Sequence, residues 1–155
     1  MVPFDDLDGI RELLAEFVGT GLDGAEPHDA AELELLALDG VGPFAHPDLP
    51  AQVVALFVEA LAGRGDELAA GILAALAELA PEPLCTDAAQ ARDRLAAGGV
   101  VSPLAGDLAT LEVRECYRVM LADGAAEMLG ALLQRPGKGK TQAGVLFLEH
   151  QSCGG

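Results

Sequence analysis

The sequence predicts a mainly α fold, a compact multi-helix bundle of about six to seven helices around an αα-hairpin at residues 51–79, with a short C-terminal β-strand near residues 144–148. Ala and Leu, which rank high in helix propensity, supply much of the 51% apolar fraction. Aromatic residues make up only 4%, which disfavours an extended sheet. Apolar residues also recur every three or four positions along most of the chain.

The first predicted helix covers residues 5–18, where apolar side chains recur at helical spacing and glycines follow. A second helix is predicted to begin at Asp29, because Glu32 follows three residues later at the spacing of a capping box. This helix is predicted to end at Gly40. The stretch 41–50 contains three prolines and is interpreted as a loop.

The central element is predicted to be a pair of helices at residues 51–62 and 67–79. Each has only two polar positions, and a helix that is apolar nearly all round is covered on nearly all sides. The glycines at 63 and 65 predict a turn between them, and Asp66 is expected to cap the second helix. The hairpin resembles one unit of a HEAT-type helical repeat, but such arrays need about three stacked units, and no family is assigned.

Further helices are predicted after this hairpin. Residues 88–97 are expected to form a short helix capped by Asp87, and Ser102–Pro103 resembles another helix start. From Val113 to Leu121 the apolar residues fit the positions i, i+3, i+4, i+7 and i+8 of an amphipathic helix, and a continuation of the pattern to Leu132 is considered. Asp123–Gly124 favours a break into two helices, because glycine costs about 1 kcal/mol in a helix interior.

The end of the chain differs from the rest. Residues 144–148 are short, apolar and preceded by glycines, which favours a buried strand. Three partners are considered for it: residues near Val100, another copy of the chain, or a segment of a longer natural protein. The alternative is a last helix or a frayed tail. We therefore expect a helical domain at 1–141 and a strand with a tail at 142–155, which could start a further module of a longer protein.

The net charge of −16 is confined to the first part of the chain. Residues 1–90 hold 18 acidic and two basic residues, whereas residues 91–155 hold seven of each. This charge disfavours nucleic acid and anionic membrane surfaces as partners. It is interpreted as a solvated surface or as an acidic face for a basic partner. No signal peptide or membrane-spanning run is visible and the three cysteines are far apart, so a soluble, cytoplasmic protein is expected.

Two motifs resemble binding sites but lack the residues or the spacing that those sites require. Gly139–Lys140–Thr141 resembles the end of a phosphate-binding loop, but position 134 is Gln where that motif needs Gly. It is therefore interpreted as part of a basic connector. The three histidines, His28, His46 and His150, lack the spacing of a helical metal site. A loop site built from the first two with neighbouring aspartates is the weaker alternative, and the sequence predicts no metal and no cofactor.

The weak candidates for catalysis are His150 and Cys153, because a thiol nucleophile needs a base nearby. The alternative is a polar tail. Cys116 is predicted to lie in the core. The preferred function is a non-catalytic protein-interaction or regulatory module with a protein partner or self-association. The alternative is a small-molecule-binding or enzymatic helical domain, with a pocket near the C-terminal helices around Tyr117, Met120 and His150.

Overall fold

The computed structural model describes residues 7–41, 44, 49–110, 112–120, 126–134 and 141–149. The chain divides into two compact units, Met1–Ala109 and Thr110–Gly155. The first is helical and the second is a sheet. No helix in the described ranges is both long enough and apolar enough to cross a membrane.

The helical unit contains five α-helices among the described residues. They are α1 at Leu7–Gly21, α2 at Ala30–Val41, α3 at Ala51–Arg64, α4 at Glu67–Leu79 and α5 at Leu84–Ala97. A short 3-10 helix follows at Ala105–Thr110.

The predicted hairpin of α3 and α4 is confirmed. Gly65 ends α3 with a left-handed conformation, φ 65°, which glycine adopts without steric cost. Asp66 is the N-cap of α4, since its side chain accepts a hydrogen bond from the backbone N–H of Ala69 at 2.8 Å. Burial raises the pKa of the Asp66 carboxyl, but hydrogen bonds from Ala69 and Arg64 outweigh it and leave the pKa below its ordinary value.

The core of the helical unit is centred on this hairpin. Phe57 on α3 is 1% exposed, and Leu73 and Leu76 on α4 are fully buried. At Gly71 of α4 an added Cβ would lie 2.8 Å from Ser102 Oγ and 3.1 Å from the side chain of Leu33 on α2. The small residue therefore permits the close contact of the two helices.

The start of α2 is confirmed and the predicted start of α5 is wrong. Asp29 Oδ1 accepts the backbone N–H groups of Ala31 and Glu32, both at 3.0 Å, as an N-cap does. Helix α5 begins at Leu84, so Asp87 lies in its first turn and is not its cap. The apolar face that buries Leu84, Ala88 and Ala91 begins before Asp87, and its burial extends the helix toward the prolines.

The second unit is a three-stranded antiparallel sheet in the order β1-β2-β3. The strands are β1 at Glu112–Met120, β2 at Ala126–Gln134 and β3 at Thr141–Glu149. Strand β2 pairs with both neighbours, and the β1–β2 register shifts between Val113 and Glu115, as in a β-bulge. The β2–β3 register runs without a shift over nine residue pairs.

This sheet corrects the predicted fold class. The described residues form five α-helices and three strands, not six to seven helices with one strand near 144–148, and the helices predicted from Val113 to Leu132 are wrong. Apolar residues lie on both faces of the sheet, which hides the alternation that marks a half-buried strand. Leu, Met and Ala in β2 favour a helix by propensity, but pairing on both sides overrides that weak preference.

The residues predicted as a strand do lie in one, and its partner among the described residues is a strand that was not among the three considered. Residues 144–148 belong to β3, whose partner is β2. Residues near Val100 are not in a strand. The predicted division between residues 141 and 142 falls after the first residue of β3, and a further module starting there stays a prediction.

Candidate functional site

The candidate catalytic residues His150 and Cys153 lie outside the described residues, as do His46, Gly139 and Lys140. Cys116, Tyr117 and Met120 lie on β1, and all three are exposed. The prediction that Cys116 lies in the core is therefore wrong. Tyr117 lies on one face of the sheet and the other two on the opposite face, because successive side chains alternate along a strand.

His28 lies at the start of α2 and contacts Glu32. Its backbone N–H donates to Glu32 Oε2 at 2.8 Å, and its Nδ1 lies 3.0 Å from the same oxygen. These two contacts hold the pKa of Glu32 below its ordinary value. Among the residues that the structure describes, no three His, Cys, Asp or Glu side chains are grouped closely enough to hold a metal ion.

Cys85 lies in the first turn of α5 and is half-buried. A hydrogen bond with Glu82, with burial and the charge of that carboxylate, raises the pKa of the Cys85 thiol. The thiolate is the nucleophilic form, so this environment disfavours reactivity.

The sheet has a face centred on Tyr117, which we call the Tyr117 face. Tyr117 is opposite Gly130 on β2, which in turn is opposite Val145 on β3. The tyrosine ring covers Gly130 so closely that an added Cβ there would clash with it. Val119 and Val145 on this face are exposed. The face thus presents apolar side chains beside the ring at Val119 and Val145, and the charged Glu115 on the other side of the ring along β1.

The opposite face is apolar around one ion pair. Arg118 Nε donates to the carboxylate of Glu127, which is buried. Leu129 and Leu146 are opposite one another on this face, and Leu146 is 55% exposed. The two faces together make a sheet whose strands carry apolar residues on both sides, a composition typical of strands that are covered on both faces.

The two edge strands differ in charge and regularity. Strand β1 carries four charged residues and the bulge near Arg114. Strand β3 is uncharged from Thr141 to Leu148 and pairs with β2 in an unbroken register. Charges and bulges are the devices by which proteins prevent edge strands from pairing with other chains. Only β1 has them.

The helical unit contains an apolar cavity of about 330 Å³ between its first four helices. Its lining comes from α1, α2, α3 and α4, and Asp39 is the charged residue in it. The residues are Phe17, Val18, Gly21, Leu22, Leu36, Ala37, Asp39, Gly40, Phe57, Leu61 and Ile72.

Sequence reasoning missed both the edge of β3 and this cavity. The apolar run at 144–148 pointed to a strand but not to its place at an edge, because that follows from the pairing of β1 with β2. The cavity arises where four helices meet, so no local pattern marks it. Phe17 and Phe57 are two of only five phenylalanines, which was the one available signal.

No family model matches the chain, and comparisons with curated proteins and with solved structures find no match.

Proposed function

We propose that this chain is a non-catalytic protein-interaction module that associates with a second copy of itself through the outer edge of β3. The observation that carries the proposal is the contrast between the two edge strands. Strand β1 has charges and a bulge, whereas β3 has an uncharged run and an unbroken register. An edge that lacks these devices is a template for another strand.

The backbone supplies the binding groups. Among the described strands β3 pairs with β2 alone, so alternate N–H and C=O groups of β3 point away from the sheet. A strand added at this edge would satisfy those groups by main-chain hydrogen bonds. Two copies of β3 running antiparallel would join two three-stranded sheets into one of six strands.

The side chains favour the same edge. Val145 and Leu146 are neighbours on β3, point to opposite faces and are each 55% exposed. A strand paired beside them would cover part of both side chains, because cross-strand neighbours are in contact. Pairing at β3 therefore buries apolar surface on both faces at once.

Charge supports a second copy as the partner. Residues 110–155 hold five acidic and five basic residues, so the sheet unit is neutral, whereas residues 1–109 carry the net charge of −16. An uncharged run facing its own copy brings no like charges together. A two-fold dimer, in which one patch meets the same patch, is the commonest form of homo-oligomer.

The test is the molar mass by light scattering over a concentration series, for the wild type and two matched variants. We expect the wild type to pass from monomer to dimer. In a dimer whose two β3 strands pair about Val145, the middle residue of β3, Val145→Lys places like charges opposite one another and should weaken association by more than about tenfold. Val113→Lys, at a valine that is 62% exposed on β1, is the matched control and should leave association unchanged.

Two results would overturn the proposal. One is a wild type that keeps the monomer mass at every concentration. The other is an equal effect of the two lysine variants, which would show that the β3 edge is not the interface. Circular dichroism of both variants checks that the fold is retained.

A further inference from the structure

We infer that the cavity between α1, α2, α3 and α4 binds a small apolar molecule that carries a cationic group. The cavity has a volume of about 330 Å³. Small-molecule sites fall in the range of roughly 300–1,000 Å³, and an engineered cavity of about 150 Å³ binds benzene. A ring or a short alkyl chain therefore fits the available space.

The inner wall is apolar and firmly held. Phe57 stacks on Phe44 with ring centroids 4.1 Å apart, and Phe44 meets the edge of Phe17 at 5.9 Å. Leu61 and Ile72 of the same wall are buried in the core. Phe57, Leu61 and Ile72 are packed core side chains, so this part of the wall exists before the ligand arrives, which lowers the entropic cost of binding.

The rim of the cavity is electronegative for two separate reasons. Gly21 is the last residue of α1 and Gly40 lies in the last turn of α2, so two helix C-termini reach the cavity. The last carbonyls of a helix lack partners within it and carry a partial negative charge. Neither helix has a basic residue in its last turn. The Asp39 carboxylate adds a full negative charge at the same rim.

The surrounding charge acts in the same direction. Residues 1–109 hold twenty acidic and four basic residues. An ammonium at the rim would face the negative ends of the two helix dipoles and the Asp39 carboxylate, whereas a carboxylate placed there would be repelled. The rim thus selects an amine from among molecules with the same apolar body.

Calorimetric titration with n-hexylammonium and benzylammonium, against hexanol and hexanoate, tests this selection. We expect saturable binding of an amine, weaker binding of hexanol and no binding of hexanoate. Asp39→Asn should weaken amine binding by about three- to fivefold, as for a partly exposed ion pair, and leave hexanol unchanged. Asp23→Asn, in the exposed turn after α1, is the matched control and should leave both unchanged.

A second pair of variants tests the location. An added Cβ at Gly21 or at Gly19 meets no atom within 4 Å, so either helix position accepts a larger residue. Gly21 lines the cavity, so Gly21→Leu adds bulk to the lining and should weaken amine binding. Gly19 lies two residues away and outside the lining, so the Gly19→Leu variant should bind the amine as the wild type does.

Three outcomes would overturn the inference. They are an absence of saturable amine binding, hexanoate binding as tight as that of the amine, and equal binding by the two leucine variants. All three are independent of the association through β3, which is measured by molar mass.

Discussion

Replacing Gly130 with alanine tests how Tyr117 holds the sheet together. Gly130 lies on the central strand opposite Tyr117, and a Cβ there would lie 2.5 Å from Cδ2 and 3.2 Å from Cζ of the ring. These distances are well inside van der Waals contact, so the ring has to leave the strand. The tyrosine is then exposed to water and its contact with the central strand is lost.

The size of the effect follows from the burial of the ring. Tyr117 is 39% exposed. For an aromatic side chain of about 200 Å², roughly 120 Å² is covered, which at ~25 cal/mol per Å² stabilises the sheet by about 3 kcal/mol. Losing about half of that contact costs ~1.5 kcal/mol. Alanine in place of glycine in a strand gains about 0.5–1 kcal/mol, so the net destabilisation is about 0.5–1 kcal/mol.

The same substitution should have the opposite sign when the ring is absent. In a Tyr117→Ala background, Gly130→Ala no longer displaces anything and should stabilise the sheet by about 0.5–1 kcal/mol. The assay is native-state hydrogen exchange of the β2 amides, which gives the free energy of opening of the sheet. All variants are measured at one low concentration, so that association does not contribute. An effect of equal size and sign in the two backgrounds would refute the role of the ring.

Pairs of matched variants test the stability of the helical unit, which is measured as the urea midpoint of unfolding by circular dichroism. Asp66→Ala removes the cap of α4 and should lower the free energy of unfolding by about 1 kcal/mol. Asp87→Ala, within the first turn of α5, should lower it by less than half of that. Equal losses would contradict the assignment of Asp66 as a cap and Asp87 as a residue inside the helix. The pKa of Asp66 in the folded protein lies below its unfolded value of about 3.9. The stabilisation by this carboxylate is therefore present above about pH 4 and is lost as the pH falls through the folded pKa. Asp66→Asn should reduce this dependence of the free energy of unfolding on pH. Gly65→Ala should destabilise the helical unit by about 1 kcal/mol, because Gly65 has a positive φ. Gly63→Ala, within α3, should stabilise the unit by up to about 1 kcal/mol. A change in stability of the same sign in both variants would exclude the left-handed conformation at Gly65.

The helical hairpin could be predicted from sequence because its signals are local. The cap at Asp66 accepts a hydrogen bond from three residues away, and the turn at Gly65 needs a conformation that glycine alone adopts readily. The apolar surfaces of α3 and α4 are continuous along each helix. Each of these features acts within a few residues, so the sequence pattern reports it directly.

The sheet could not be predicted in the same way. From Val113 to Met120 the apolar residues fit a helix period, because Cys116 and Tyr117 are neighbours on opposite faces of a strand that is apolar on both sides. The bulge near Arg114 also shifts the alternation. Asp123–Gly124 was the available signal, since this dipeptide between two apolar runs is typical of a hairpin.

The candidate sites could not be predicted from local sequence patterns either. The cavity needs Phe17 and Phe57 from two helices that are far apart in sequence, and the β3 edge exists only because β1 takes the other side of β2. Both features are products of long-range packing. His150 and Cys153, which the sequence singled out, lie outside the described residues and stay a prediction.

The proposal that β3 is the association edge is tested most directly by hydrogen exchange of the β1 and β3 amides at low and high protein concentration. Alternate amides of β3 point away from β2 and would be hydrogen-bonded only in the dimer. We expect their exchange to slow as the concentration rises, while the exchange of β1 stays constant. Unchanged exchange in β3, or slowing confined to β1, would contradict association through the β3 edge.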